Sequence, residues 1–334
     1  MTARPPRSMS FTSRLASSIE AYLRMKEALG RRYAAERTIL RALDAFLTTI
    51  DDDLTSDTFG AWNATLGRLT PGVRRNWLRV VRNLCLYRRR TVPDVFVPDP
   101  IGFPKPHAPI RPYIFTTTDI ARLLDAADHL VATARSPLRR ETFRLAIVLL
   151  YTSGLRRGEL VRLTVGDYDP TEQTLLIRAS KFHKSRRLPL SRDAQRELEV
   201  YLRTRRQRGF PMAPDSALIW NRSRRGGRPY TGEAVRCDID TLFRAAAIRT
   251  PTGARPRIHD IRHTFAVHAL LRWYHRGVDP QAKLPFLSTY MGHVSPVSTA
   301  YYLPFVSALA QAASLRFLRT CGALVTGSPA GERP

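Results

Sequence analysis

Seven prolines fall between residues 93 and 112 of this 334-residue chain, and no other stretch limits the fold so strongly. Proline cannot continue a helix, and it forces the residue before it into an extended conformation. The run therefore predicts a linker between two domains, each of which a chain of this length can supply with its own core. We expect the following division: a disordered N-terminus over 1–12, a first domain over 13–105, a linker over 106–113, a second domain over 114–317 and a tail over 318–334.

Apolar side chains recur at helical spacing through the first domain. Ile39, Leu43 and Leu47, for example, are four residues apart and share one helix face. The spacing predicts a helical domain with helices over four ranges: 14–30, 34–50, 55–66 and 73–90.

The last of these helices carries a row of arginines on a face away from its apolar stripe. The row consists of Arg75, Arg79, Arg82 and Arg89, with no acidic residue between them. Such a row suits contact with a phosphate backbone. A solvated surface is the alternative, and it is the more common role of a charged helix face.

The second domain mixes predicted helices with a short hairpin. It opens at Thr116 with a helix start, and a buried helix is expected over 143–151. Two strands over 175–179 and 187–190 flank a basic turn, and residues 222–230 are expected to form a flexible basic loop. Further helices are predicted over 193–207, 232–247, 259–275 and 298–317. The chain is thus expected to be mainly α with a small β-hairpin, an α+β protein.

The formal net charge of +26 points to a polyanionic partner, and nucleic acid is the usual one. Residues 1–105 carry 18 basic and 10 acidic side chains, and the rest of the chain carries 36 and 18. Both halves are therefore basic, which favours a two-domain clamp on double-stranded DNA. No apolar run approaches the length of a spanning helix, so no membrane partner is expected.

Three widely spaced cysteines, Cys85, Cys237 and Cys321, fit neither a disulfide framework nor a zinc site. This cysteine usage favours a reducing compartment. With the basic charge, it predicts a cytoplasmic protein associated with nucleic acid.

Three separated stretches carry the side chains that cleavage of a phosphodiester needs. They are residues 152–156, which end in Arg156, residues 259–262, and Gly292-His293 with Tyr302 nine residues later. Most nucleases use Mg²⁺ held by several carboxylates, and the sequence contains no convincing carboxylate cluster. Arginine can replace the metal, because its planar fork donates two hydrogen bonds to phosphate oxygens. Arg156 and Arg262 are the two candidate clamps, and neither a metal nor a cofactor is expected.

The remaining candidates would move protons or attack phosphorus. Lys181, on the turn of the hairpin, can act as a general acid, although an ordinary solvated turn is the alternative. Tyr302 is the candidate nucleophile, with Tyr301 and Tyr290 as alternatives. His259 lies four residues before His263, so a zinc pair is the rival interpretation, but no third ligand is evident.

Together these residues resemble the tyrosine recombinase (phage integrase) family over residues 14 to 317. Residues 152–160 resemble its first-arginine box, residues 258–266 its histidine–arginine box, and residues 291–293 with Tyr302 its last box. Lys181 stands eight residues before Pro189, as the hairpin lysine of the family usually does. Residues 284–290 are similar to transposon-borne members, which suggests a mobile-element role in integration or transposition.

The resemblance implies a mechanism and a role for each residue. Tyr302 would attack the scissile phosphate to give a 3′-phosphotyrosyl link, without metal or ATP. Arg156 and Arg262 would bind the phosphate, and His293 would hydrogen-bond it. Lys181 would be the general acid, and His259 would assist proton transfer from Tyr302. Glu159 would orient Arg156. His263 would also support these catalytic side chains.

Recognition of DNA and assembly are also implied. Four protomers would synapse two duplexes, and the free protein would be a monomer or weak dimer. The DNA-binding candidates are Arg75, Arg79, Arg82, Arg89, Lys184, Arg224 and Arg225.

Three other functions compete with recombination. A type IB topoisomerase would use a similar residue set to relax supercoils. A non-catalytic DNA-binding regulator could share the scaffold, although all six catalytic positions are filled. A metal-dependent nuclease would need carboxylates that the chain lacks.

Overall fold

In a computed structural model, the chain divides into two compact units, Met1–Ile110 and Arg111–Pro334. The structure describes residues 11–31, 33–105, 111–178, 185–223 and 226–293. The predicted helix over 298–317, the predicted tail and residues 1–10 of the terminus predicted to be disordered over 1–12 lie outside these ranges. The prediction of disorder is wrong for residues 11 and 12, because Phe11 is buried in the core and the backbone N–H of Thr12 donates to Asp44 at 3.0 Å.

The first unit is built from helices at the positions that apolar spacing predicts. Its helices are α1 (Ala16–Ala28), α2 (Ala34–Ile50), α3 (Ser56–Thr65) and α4 (Pro71–Arg88). Thr55 caps α3 by accepting a hydrogen bond from the backbone N–H of Thr58, and Pro71 occupies the first turn of α4, where a missing N–H costs nothing. The core between the helices includes the buried side chains of Tyr22, Leu40, Trp62 and Val81.

Part of the proline run belongs to this unit and is not a free linker. Phe103 is buried in the core of the first unit, and Phe96 and Val97 pack against it. Two arginines of α4 and Arg89, its C-cap residue, donate hydrogen bonds to carbonyls of the same segment: Arg75 to Pro104 at 2.8 Å, Arg82 to Pro98 at 3.0 Å and Arg89 to Pro93 at 3.4 Å. Residues 93–105 therefore pack as part of the first unit, because apolar side chains between the prolines join its core.

The second unit is mostly helical. Its helices are α5 (Thr117–Asp128), α6 (Arg139–Ser153), α7 (Arg157–Leu160), α8 (Arg192–Gln207), α9 (Gly232–Ala245), α10 (Ile258–His275) and α11 (Pro280–Met291). Helix α6 is the predicted buried helix, and Phe143, Leu145 and Ile147 are fully enclosed in the core of the second unit. Thr116 caps α5 in a reciprocal capping box with Asp119, as predicted.

Two small antiparallel sheets complete the second unit. The first has the order β1 (Tyr168–Asp169), β2 (Thr174–Ile177), β3 (Arg186–Pro189), with Leu175 opposite Leu188. The second pairs β4 (Trp220–Ser223) with β5 (Gly226–Pro229). The expectation of a flexible loop over 222–230 is therefore wrong. Glycine at position 227 of β5 leaves room for the ring of Trp220 on β4, because a Cβ on residue 227 would lie 3.1 Å from that ring.

The mainly α architecture with a small hairpin confirms the predicted fold class. Among the residues that the structure describes, no helix combines the length and apolarity needed to cross a membrane.

Candidate active site

A tight turn at the end of α6 presents Arg156. Gly154 terminates the helix in the left-handed conformation, with φ +59°. A Cβ at this position would clash with the Phe265 ring, whose Cε1 would lie 2.9 Å away. Leu155 is buried, and Arg156 then takes an extended conformation as the N-cap of α7. Glycine is required here both for its backbone freedom and for the close approach of α10.

Arg262 lies one turn into α10 and is 1% exposed. Its Nη1 donates to the carbonyl of Gly154, and its Nη2 donates to the carbonyl of Met291 at 2.8 Å. The same arginine therefore ties the turn before Arg156 to the end of α11.

The start of α10 is itself fixed by polar contacts. The buried carboxylate of Asp260 accepts from the backbone N–H of Arg257 at 2.8 Å and from its Nη2 at 2.7 Å. Thr264 Oγ1 accepts from the backbone N–H of Phe115 at 3.0 Å, which joins α10 to the segment before α5. These bonds hold Arg262 in place before any ligand binds.

Three successive carbonyls at the end of α11 accept hydrogen bonds from arginines. The carbonyl of Tyr290 accepts from Arg186 Nε at 2.8 Å. The carbonyl of Met291 accepts from Arg262 Nη2 and, at 3.4 Å, from Arg156 Nη1. The carbonyl of Gly292 accepts from Arg156 Nη2 at 2.8 Å. The last carbonyls of a helix lack partners within it and carry partial negative charge, so they preorganise the guanidinium groups.

Glu159 lies behind the arginines with a side chain that is 1% exposed. Its Oε1 accepts from Arg156 Nη1 at 2.8 Å and from Arg186 Nη1 at 3.0 Å. Its Oε2 accepts from the backbone N–H of Arg156 at 3.0 Å and from Arg186 Nη2 at 2.9 Å. Burial alone would raise the pKa of Glu159, but the bonds from Arg186 and from the Arg156 backbone outweigh it and lower the pKa to about 2. The carboxylate is thus ionised at neutral pH.

Arg186 was missed in the sequence because it is one of 49 arginines. A usable signal does exist. Arg186 and Leu188 are two residues apart on β3, so they point to the same face, and Leu188 is buried. An arginine on the inner face of a strand needs acceptors, and here Glu159 and the Tyr290 carbonyl supply them.

Three histidines surround the arginines, and we call His259, His263 and His293 the site histidines. The rings of His259 and His263 meet edge to face, with centroids 4.8 Å apart. Burial, followed by the charge of neighbouring groups, lowers the pKa of His263 and His293 to about 4. His259 is exposed to solvent on one side, yet desolvation of its ring and then the charge of Arg262 also lower its pKa. All three imidazoles are therefore neutral near pH 7.

Tyr290, an alternative nucleophile, is engaged by contacts within the protein through both its hydroxyl and its ring. Its hydroxyl donates to the carbonyl of Pro189 at 3.0 Å, and its ring stacks on Phe265 with centroids 5.5 Å apart. Burial raises the pKa of this phenol, which disfavours the phenolate that attack requires.

Several predicted site residues lie outside the described ranges, namely Lys181, Lys184, Arg224, Arg225, Tyr301 and Tyr302. Of the predicted α4 contacts, Arg75, Arg82 and Arg89 bond to the proline-rich segment. Arg79 is exposed and donates to Asn76 at 2.8 Å. Within the residues that are described, no cluster of three or more metal-ligating side chains occurs.

Comparison with known proteins identifies similar sequences. The sequence profile of the phage integrase family matches residues 114–305 of this chain. The chain is 34% identical over 289 residues to integrase/recombinase y4rB of Sinorhizobium fredii (strain NBRC 101917 / NGR234), an alignment that covers 86% of this chain and 91% of that protein. A second protein of that strain, integrase/recombinase y4rE, is 33% identical over 320 residues, covering 92% of this chain and 98% of that protein.

Solved structures share the fold. The integrase of the Tn1549 transposon, in complex with transposon right end DNA, gives a TM-score of 0.59 at 17% identity and covers 90% of this chain and 98% of that one. The XerH site-specific recombinase bound to its difH substrate gives a TM-score of 0.59 at 18% identity, with 83% and 77% coverage.

Proposed function

Because this chain belongs to the phage integrase family, we propose that Arg156 and Arg262 bind the scissile phosphate of DNA and that Tyr302 attacks it. The protein is a site-specific tyrosine recombinase, an enzyme that cuts and rejoins DNA. The proposal concerns which side chains perform each step.

One observation carries the assignment of the arginines. Arg156 and Arg262 both donate to the carbonyl oxygen of Met291, so two guanidinium groups from distant parts of the sequence converge on one acceptor. A phosphate with two non-bridging oxygens is the ligand that two such forks suit best. Positive charge fixed in advance stabilises the charge that develops in the transition state, which is the role a divalent cation plays in other nucleases.

The reaction proceeds by exchange of one ester for another. The Tyr302 oxygen bonds to phosphorus while the bond from phosphorus to the 5′ oxygen breaks. The phenol proton passes to His259, and Lys181 protonates the departing 5′ oxygen. The products are a 3′-phosphotyrosyl link and a free 5′ hydroxyl, and reversal of the step rejoins a strand.

The state of the site histidines supports these roles. A neutral imidazole at His259 can accept the proton of a phenol, whereas an imidazolium could not. The lowered pKa of His293 likewise leaves a neutral group that donates a hydrogen bond to a phosphate oxygen.

The wider role that we propose is movement of a genetic element. The Tn1549 transposon integrase, which shares the fold, is in complex with transposon right end DNA, and the relatives are named integrase/recombinase. Four protomers on two synapsed duplexes would exchange strands, with the protein located on the nucleoid. The family relationship favours recombination over supercoil relaxation or regulation without catalysis.

The test is formation of a covalent protein–DNA adduct. Nicked duplexes tiled across the DNA that flanks the gene would be incubated with the wild-type protein in EDTA, and adducts separated on denaturing gels. We expect an adduct from the wild type and from Tyr301→Phe, and none from Tyr302→Phe, which should still bind DNA. An adduct that persists in Tyr302→Phe, or one abolished by EDTA, would overturn the proposal.

A further inference from the structure

A third arginine, Arg186, lies in the active site beside the two predicted phosphate clamps. Its three hydrogen bonds to described residues end on the Tyr290 carbonyl and on both carboxylate oxygens of Glu159. Its side chain is 11% exposed, whereas that of its neighbour Arg187 is 63% exposed. The two adjacent arginines thus occupy opposite faces of β3.

Arg186 connects Glu159 with the end of α11, two parts of the site that Arg156 also joins. On one side it supplies half of the four hydrogen bonds that the Glu159 carboxylate accepts. On the other side it holds the end of α11, where a Cβ at Gly292 would lie 2.7 Å from its Nη1. His293 follows immediately, and the candidate nucleophile stands nine residues further along the chain.

We propose that Arg186 is a positioning residue for strand cleavage, which sets Arg156 and the end of α11 in register without touching DNA. This inference rests on the proposed function. A carboxylate that accepts four hydrogen bonds has its acceptor sites filled, so the orientation of Glu159 is fixed. Arg156 donates two of its hydrogen bonds to that carboxylate, from its backbone N–H and from Nη1, and Arg186 acts on the reaction through them.

Loss of Arg186 has a chemical consequence beyond loss of packing. Glu159 would keep only the two bonds to Arg156 while remaining buried, and burial favours the protonated acid. The pKa of Glu159 would therefore rise from about 2. A protonated Glu159 holds Arg156 less firmly, so cleavage by the variant would slow as the pH falls. The wild-type carboxylate stays ionised throughout the range from pH 8 to pH 5 and adds no such dependence.

The experiment compares Arg186→Met and Arg186→Lys with the matched control Arg187→Met. The probe is a nicked duplex that the wild-type protein converts to the Tyr302 adduct. Single-turnover adduct formation, DNA affinity at fixed salt and the melting temperature would be measured from pH 5 to pH 8.

We expect Arg186→Met to form adduct at least about 100-fold more slowly at neutral pH, with affinity within about threefold of the wild type. Arg186→Lys retains the charge but cannot bridge both carboxylate oxygens, so its rate should be intermediate. Arg186→Met should slow further towards pH 5, Arg186→Lys should show less of this dependence because its charge still favours the ionised carboxylate, and Arg187→Met should match the wild type throughout.

Three results would overturn the inference. One is wild-type cleavage by Arg186→Met. Another is a loss of DNA affinity as large as the loss of rate, which would make Arg186 a DNA contact. The third is a slower rate with an unchanged pH profile, which would indicate only lost stability. Because the probe is chosen by the wild-type adduct at Tyr302, failure of the proposed function would appear earlier, as absence of that adduct.

Discussion

Replacement of Glu159 by glutamine is the perturbation that the structure predicts most fully. Glutamine keeps the size of the side chain but removes its charge and replaces one acceptor oxygen by an NH₂ donor. That donor would face N–H groups of Arg156 or Arg186, where the carboxylate now accepts four hydrogen bonds. Two arginines would remain with no ionised partner between them.

The size of the effect follows from burial. The side chains of Glu159 and Arg186 are 1% and 11% exposed, so solvent screens this pair weakly. Breaking a buried ion pair by removing one partner costs about 3–5 kcal/mol. Because glutamine keeps one acceptor and Arg156 is 27% exposed, we expect the lower end, about 3 kcal/mol. For a domain of this size that corresponds to a fall in Tm of about 6–12 °C.

Calorimetry at pH 7 measures the Tm, and single-turnover adduct formation measures the chemistry. We expect Glu159→Gln to cleave about 10²–10³-fold more slowly, because Arg156 loses its orientation. The stabilisation by Glu159 is complete above its unfolded pKa of 4.5 and is lost as the pH falls through about 2, so the Tm deficit should be constant from pH 5 to pH 8. The control is Glu233→Gln, an exposed partner of Arg236 that should melt like the wild type. A Glu159→Gln variant with wild-type Tm and wild-type rate would refute the reasoning.

Three further outcomes are expected. Gly154→Ala should lower stability by about 2–4 kcal/mol in denaturant titrations, since φ is positive and the added Cβ meets Phe265; a loss below about 1 kcal/mol would count against this packing. The Tm should fall as the pH drops from 6.5 towards 4, because the unfolded chain binds protons there that the site histidines resist; a flat Tm over that interval would show that burial does not lower their pKa. Arg79→Ala should reduce the salt slope of DNA binding by about 1, whereas Arg82→Ala should mainly destabilise the first unit by freeing the Pro98 carbonyl; equal salt slopes for the two variants would contradict the distinction.

Sequence spacing identified the elements of the fold where apolar periodicity was strong. The four helices of the first unit and the buried α6 lie where the pattern places them. The β4–β5 hairpin was missed because arginine and glycine dominate it and no alternation of apolar residues marks the strands. The proline run shows that residues 93–105 are extended, but prolines do not show whether Phe96 and Phe103 are buried.

The residues of the candidate site likewise divide into those that the sequence identifies and those that only the structure shows. Arg156 and Arg262 could be picked out because each adjoins another informative residue, Gly154 in one case and His259 in the other. For Arg186 the sequence offers only its alternation with Leu188, which indicates an inward side chain; its importance comes from Glu159, which lies 27 residues away. Nor does spacing reveal that α4 arginines bond to proline carbonyls, because such contacts depend on how a non-helical segment folds back.

The most direct measurement of the central claim is a structure of the Tyr302→Phe variant bound to a duplex that the wild type cleaves. The account predicts one phosphate whose non-bridging oxygens lie within about 3 Å of nitrogens of Arg156 and Arg262. It also predicts that the ring of residue 302 approaches that phosphorus, with a tyrosine oxygen placed there within about 3.5 Å of it. A complex in which Arg156 and Arg262 keep their bonds to the carbonyls at the end of α11, with the scissile phosphate elsewhere, would contradict the account.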